Sequence, residues 1–93
     1  MMSQIGEPTM HAQDRALQRY RFKLTDIEHA RLVMDIVNRH NGAEKLGNQD
    51  HRLSVWYIHT PGGPANVVFD CITNRIVTFL PPWAKMAKGV KLR

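Results

Sequence analysis

His11, Arg15 and Arg19 stand four residues apart in turn within PTMHAQDRALQRYRF, residues 8–22. In a helix, residues four apart project in nearly the same direction, so the three side chains share one stripe. An imidazole exchanges protons near neutral pH. Guanidinium groups stay charged and fork onto phosphate oxygens. Together they suit metal-free cleavage of an RNA phosphodiester. A base takes the ribose 2′-OH proton, arginines hold the charge that builds on the phosphorane, and an acid protonates the departing 5′-oxygen. The acid–base part is worth about 10²–10⁴-fold, and charge stabilisation and positioning add to it. The same residues have plainer roles open to them. His11 could be an exposed polar residue, and Arg15 and Arg19 could pair with Asp14 or with acids on a second helix.

Other chemistries find less support. The five histidines, at 11, 29, 40, 51 and 59, form no HExxH and no zinc-spaced Cys/His pairs, so no metal site is expected. His29 and His40 are expected to face solvent from the second helix. Gly62-Gly63 is bracketed by prolines and joins two strands, which makes it a hairpin turn and not a phosphate loop. No nucleophile motif accompanies a Ser-His-Asp set, and no cofactor is implied. The single cysteine, Cys71, excludes an internal disulfide and fits a reducing cytoplasm.

Charge separates the halves of the chain. Residues 1–50 carry seven Lys/Arg and seven Asp/Glu, whereas residues 51–93 carry six Lys/Arg against Asp70 alone. Lys85, Lys88, Lys91 and Arg93 crowd the last eleven residues. That asymmetry points to a polyanion, nucleic acid before membrane; a solubilising tail is the other reading. The N-terminus has neither the basic nor the apolar region of a secretion signal. No apolar run is long enough for a membrane span.

The elements that must position these groups can be read along the chain. Residues 1–8 are expected to be disordered, residues 9–82 to form one α+β domain, and residues 83–93 a basic C-terminal segment. Thr9 is a fitting N-cap for a helix over Met10–Tyr20, with Met10, Ala16, Leu17 and Tyr20 as its apolar stripe. TDIE, Thr25–Glu28, is a capping-box pattern opening a second helix to about His40. Ile27, Ala30, Val33, Met34 and Val37 are its expected buried face, and Asn41-Gly42 its terminus. Thereafter the period becomes two. Ala43–Leu46 is a short edge strand, Arg52–His59 and Ala65–Asp70 flank the Pro61–Pro64 turn, and Arg75–Leu80 ends at Pro81-Pro82. The expected architecture is two N-terminal helices packed on one face of a three- or four-stranded antiparallel sheet.

THAQDRALQRYRFKLT at one end and NVVFD…NRIVTFLPP at the other resemble small phage and prophage proteins of the barnase/EndoU/colicin/RelE-like ribonuclease group. The resemblance covers roughly residues 9–82. It implies His11 as general base or acid, Arg15 and Arg19 as phosphate ligands, and Thr78 as a hydrogen-bond donor on the last strand. Phe69 stands where that pattern often has Tyr, which removes a phenolic acid; His51, His59 or Lys23 could replace it. Tyr20 fits the core stripe.

Trp56 and Tyr57 alternate across their strand, so one ring faces away from the helices, where it could stack a base. Trp83 is expected to anchor the C-terminal segment. Lys23, Trp56, Lys85, Lys88, Lys91 and Arg93 are therefore the expected nucleic-acid contacts. The resemblance implies a cytoplasmic, metal-independent ribonuclease-like or RNA-binding protein. The alternative is a non-enzymatic phage inhibitor of a host protein, anti-CRISPR-like or polymerase-directed.

Overall fold

The computed structural model describes residues 6–81 and Leu92. The chain runs α1 (Met10–Tyr20), α2 (Asp26–Asn38), β1 (Glu44–Asn48), β2 (Leu53–Thr60), β3 (Gly63–Asp70) and β4 (Arg75–Leu80). The strands form one four-stranded sheet in the order β1-β2-β3-β4, antiparallel throughout. Both helices pack against it, so the fold is the expected α+β arrangement with four strands.

Local rules place the helix starts. Thr9 and Thr25 have extended backbones, and their hydroxyls accept the N–H groups of Ala12 and Glu28, satisfying donors that the first helical turn leaves orphaned. α2 stops earlier than expected, at Asn38, because Arg39 adopts the left-handed conformation (φ 53°) and serves as its cap. Gly63 has φ 110°, open to glycine at little cost, and completes the β2–β3 turn.

The helix faces differ from those expected. In α1, Ala12 and Ala16 are fully buried while Met10 and Leu17 are exposed. Two small residues let the helix backbone settle close to β4, and the larger flanking side chains are displaced outward. In α2 the buried residues are His29, Leu32, Val33 and Ile36, while Ile27 is 76% and Val37 55% exposed. Only Val33 belongs to both sets. The helix is rotated about one residue, roughly 100°, from the expected face. Leu32 and Ile36 bury more apolar volume than Ala30, and His29 enters because a backbone donor is there to meet it.

Core residues on the helix side include Phe22, Leu24, Trp56, Ile58, Val67, Phe69, Ile76 and Phe79. A bulge in β4 makes that possible. Val68 pairs with Thr78 but Phe69 pairs with Ile76, leaving Val77 extra. An inserted residue resets the alternation of a strand, and so Ile76 and Phe79, three apart, both reach the helix-side core. Thr78 stands between the bulge and Phe79. At the start of the described residues, Gly6 N–H bonds the carbonyls of Thr73 and Asn74. No helix among the described residues is long and apolar enough to cross a membrane.

Candidate active site on the last strand

α1 brings the imidazole to the last strand. His11 Nε2 and Thr78 Oγ1 share a hydrogen bond of 3.0 Å across 67 residues of sequence. The ring is exposed and the threonine half-buried, so the pair meets water.

Arg19 joins them from farther along the helix. Its Cα lies eight residues, about 12 Å, beyond that of His11. Yet its guanidinium donates from Nη1 to the carbonyl of Phe79, the residue after Thr78, at 2.7 Å. The imidazole and the guanidinium thus end on neighbouring residues of one strand. Arg15 lies between them on the stripe and donates to Gln18 Oε1 at 2.8 Å. Neither arginine is in an ion pair among the described residues, unlike Arg31, which pairs with Glu28, and Arg52, which pairs with Asp70.

Two further side chains hold β4 in place. The Tyr20 hydroxyl donates to the Leu80 carbonyl and accepts the Asn66 N–H at 3.4 Å. Asn66 and Leu80 are register partners, so the phenol bridges the last rung of the β3–β4 ladder. Its ring packs tilted on Phe79, 5.9 Å between centroids, as its place in the apolar stripe implied. Burial raises the phenol's pKa, against the opposing pull of the Asn66 N–H and the Arg19 charge.

His29 is the second, and its expected solvent exposure is corrected: it is 1% exposed. Its Nε2 accepts the Ile76 N–H at 3.0 Å. Burial and then the Arg75 charge push its pKa down to about 4, against the Asp26 charge and a backbone hydrogen bond with Gly6. The ring is consequently neutral at physiological pH and able to accept. Read at i, i+3, i+4 and i+7, His29, Leu32, Val33 and Ile36 do make one helical stripe; a polar type at its head concealed it.

The remaining expected residues fall elsewhere. Trp56 is 6% exposed, with Nε1 donating to Ser54 Oγ at 2.9 Å and the Arg39 guanidinium 5.3 Å from the ring centroid. The base-stacking surface expected of Trp56 is therefore not there, because the ring belongs to the helix-side core. Tyr57 is the ring on the other side, half-buried and edge-on to His59. Lys23 borders a shallow depression with Gln13, Asp14, Leu17 and Leu24. Gln13 and Leu17 lie roughly opposite His11 around the helix, so Lys23 is not part of the His11 cluster. His59 donates from Nδ1 to the Asn41 carbonyl at 3.1 Å, and His51 is exposed in the β1–β2 turn. Phe69 is buried in the helix-side core. Trp83, Lys85, Lys88, Lys91 and Arg93 lie outside the described residues. Among the described residues, no three His, Cys, Asp or Glu side chains are grouped to hold a metal.

No protein-family model matches this chain, and neither a curated protein nor a solved structure does.

Proposed function

We propose that the chain is a metal-independent ribonuclease-like protein, acting on RNA at the exposed edge where α1 meets β4. The observation that carries this reading is the His11–Thr78 hydrogen bond of 3.0 Å, with the guanidinium of Arg19, in no ion pair among the described residues, on the next strand residue. His11 accepts the proton of the ribose 2′-OH. The 2′-oxygen then forms its bond to phosphorus as the P–O5′ bond breaks, and water protonates the leaving 5′-oxygen. Arg19 and Arg15 oppose the charge that develops on the phosphorane oxygens. Thr78 orients the imidazole through their shared hydrogen bond. Because Lys23, His51 and His59 lie elsewhere, this scheme contains one protein acid–base group and belongs to a slow enzyme. The test is incubation of purified protein with several RNAs in EDTA. Wild type should nick RNA, and His11→Ala should not, with its fold intact by circular dichroism.

A second reading, an inhibitor docking on a host protein, is favoured by one observation. Met10, Leu17, Ile27 and Val37 expose apolar side chains on the two helices. Absence of cleavage by wild type across all RNAs, together with a host protein retained specifically on immobilised chain, would decide for it.

A further inference from the structure

His29 takes no part in the scheme above, yet it is a buried imidazole aimed at the strand that carries Thr78. Its partner, the Ile76 N–H, lies immediately before the bulged residue Val77. Among the described residues, β4 has a sheet neighbour on one side only, and three helix side chains attach to its backbone. His29 takes the N–H of Ile76, Arg19 the carbonyl of Phe79, and Tyr20 the carbonyl of Leu80. Thr78 lies between the first attachment and the other two. Bulges bend a strand and re-aim its side chains, so whatever fixes the residues on either side of Val77 fixes where the Thr78 hydroxyl points.

We infer that His29 is a positioning residue for the His11–Thr78 pair, locking the β4 bulge through the Ile76 N–H so that the threonine hydroxyl meets the imidazole. The inference rests on the reading of His11 and Thr78 as the working pair. Only an unprotonated ring nitrogen can accept this N–H. The groups around the ring are consistent with that state. Arg75, from β4, opposes protonation, Asp26 on α2 favours it, and Gly6 supplies a backbone bond from the N-terminal arm. Arg75 Nε is itself buried with no hydrogen-bond partner among the described residues, so protonating His29 would place a second cation beside it.

The experiment compares wild type, His29→Leu and His29→Gln, reading the His11 imidazole ¹⁵N resonances and RNA cleavage in EDTA. Leucine removes the acceptor; glutamine replaces it with Oε1. His29→Leu should move the His11 Nε2 resonance toward its value in Thr78→Val and lower kcat by about ten- to a hundredfold, the scale of a small misplacement, with KM nearly unchanged. His29→Gln should restore both. In a double-mutant cycle, His29→Leu should add little to Thr78→Val, because both remove the same contact. If His29→Leu does not fold, a backbone ester at Ile76, which removes the N–H and leaves His29 intact, gives the same readouts. A folded leucine or ester variant with the wild-type His11 resonance overturns the inference. The two readings fail separately. Absent cleavage with the resonance shift preserved removes the nuclease and keeps the positioning role, whereas cleavage unaltered by the variants does the reverse.

Discussion

The imidazole of His11 and the hydroxyl of Thr78, on the first helix and the last strand, are 3.0 Å apart. Helix α1 packs against β4 with Ala12 and Ala16 buried. Arg19 donates to the carbonyl of Phe79, the residue after Thr78. The imidazole and the guanidinium of one helix thus reach neighbouring residues of β4.

Loss of either member of this pair should separate chemistry from folding. His11→Ala should lower EDTA-resistant cleavage by about 10²–10⁴-fold. Thr78→Val should cost less, and Thr78→Ser should retain most activity because it keeps the hydroxyl. Initial rates on a labelled RNA, with melting curves for each variant, check this.

The arginines should reveal themselves through salt. Each phosphate neutralised on a single strand contributes about 0.7 to the slope of log K against log salt. Arg15→Gln and Arg19→Gln should each lower that slope by about this amount for a non-cleavable 2′-O-methyl oligonucleotide. Fluorescence anisotropy over a salt series measures it. Arg19→Gln should also destabilise the fold by about 1 kcal/mol, since Phe79 loses its charged donor; Arg15→Gln should not.

Tyr20→Phe removes one oxygen and keeps the ring. The Leu80 carbonyl loses its donor and the Asn66 N–H its bridge. The cost should be about 1–3 kcal/mol, and each kcal/mol should lower Tm by about 4–8 °C in a domain of this size. Hydrogen exchange should quicken at the Asn66 amide.

Acid should weaken the fold through His29 in a defined window. Its pKa falls from 6.5 in the unfolded chain to about 4 in the folded one. Between these values the unfolded chain holds a proton that the folded chain does not, so stability is complete above pH 6.5 and declines as pH falls toward 4. The full loss is roughly 3 kcal/mol. Denaturant melts of wild type across this range should show the slope, and His29→Gln should flatten it. Asp70 acts lower on the scale. Burial would raise its carboxyl, but the N–H groups of Ile72 and Thr73 and the Arg52 side chain outweigh that and hold its pKa below 3.8. Its contribution is therefore complete above 3.8 and is lost only as pH falls further, through the lowered value.

Much of the local structure was legible in residue types. Thr9 and Thr25 mark their helix starts, α1 ends at Tyr20 as its pattern implied, and Arg75–Leu80 is a strand with those limits. Hydroxyl caps, turn glycines and strand alternation act over three or four residues, and a sequence displays them directly. The faces were less legible. A stripe of Ile27, Ala30, Met34 and Val37 is as periodic as the stripe that α2 buries, and Trp56 looked as available as Tyr57.

Residue types and spacing settle the elements, their order, the shared stripe of His11, Arg15 and Arg19, and the excess of positive charge. Packing settles which way α2 is turned, which ring of the β2 pair is enclosed, and that His29 grips β4. The two differ in range. Caps and periodicity are settled between near neighbours, whereas the rotation of a helix is chosen by the largest apolar volume it can bury and by the one backbone donor, 47 residues away, that its histidine can satisfy.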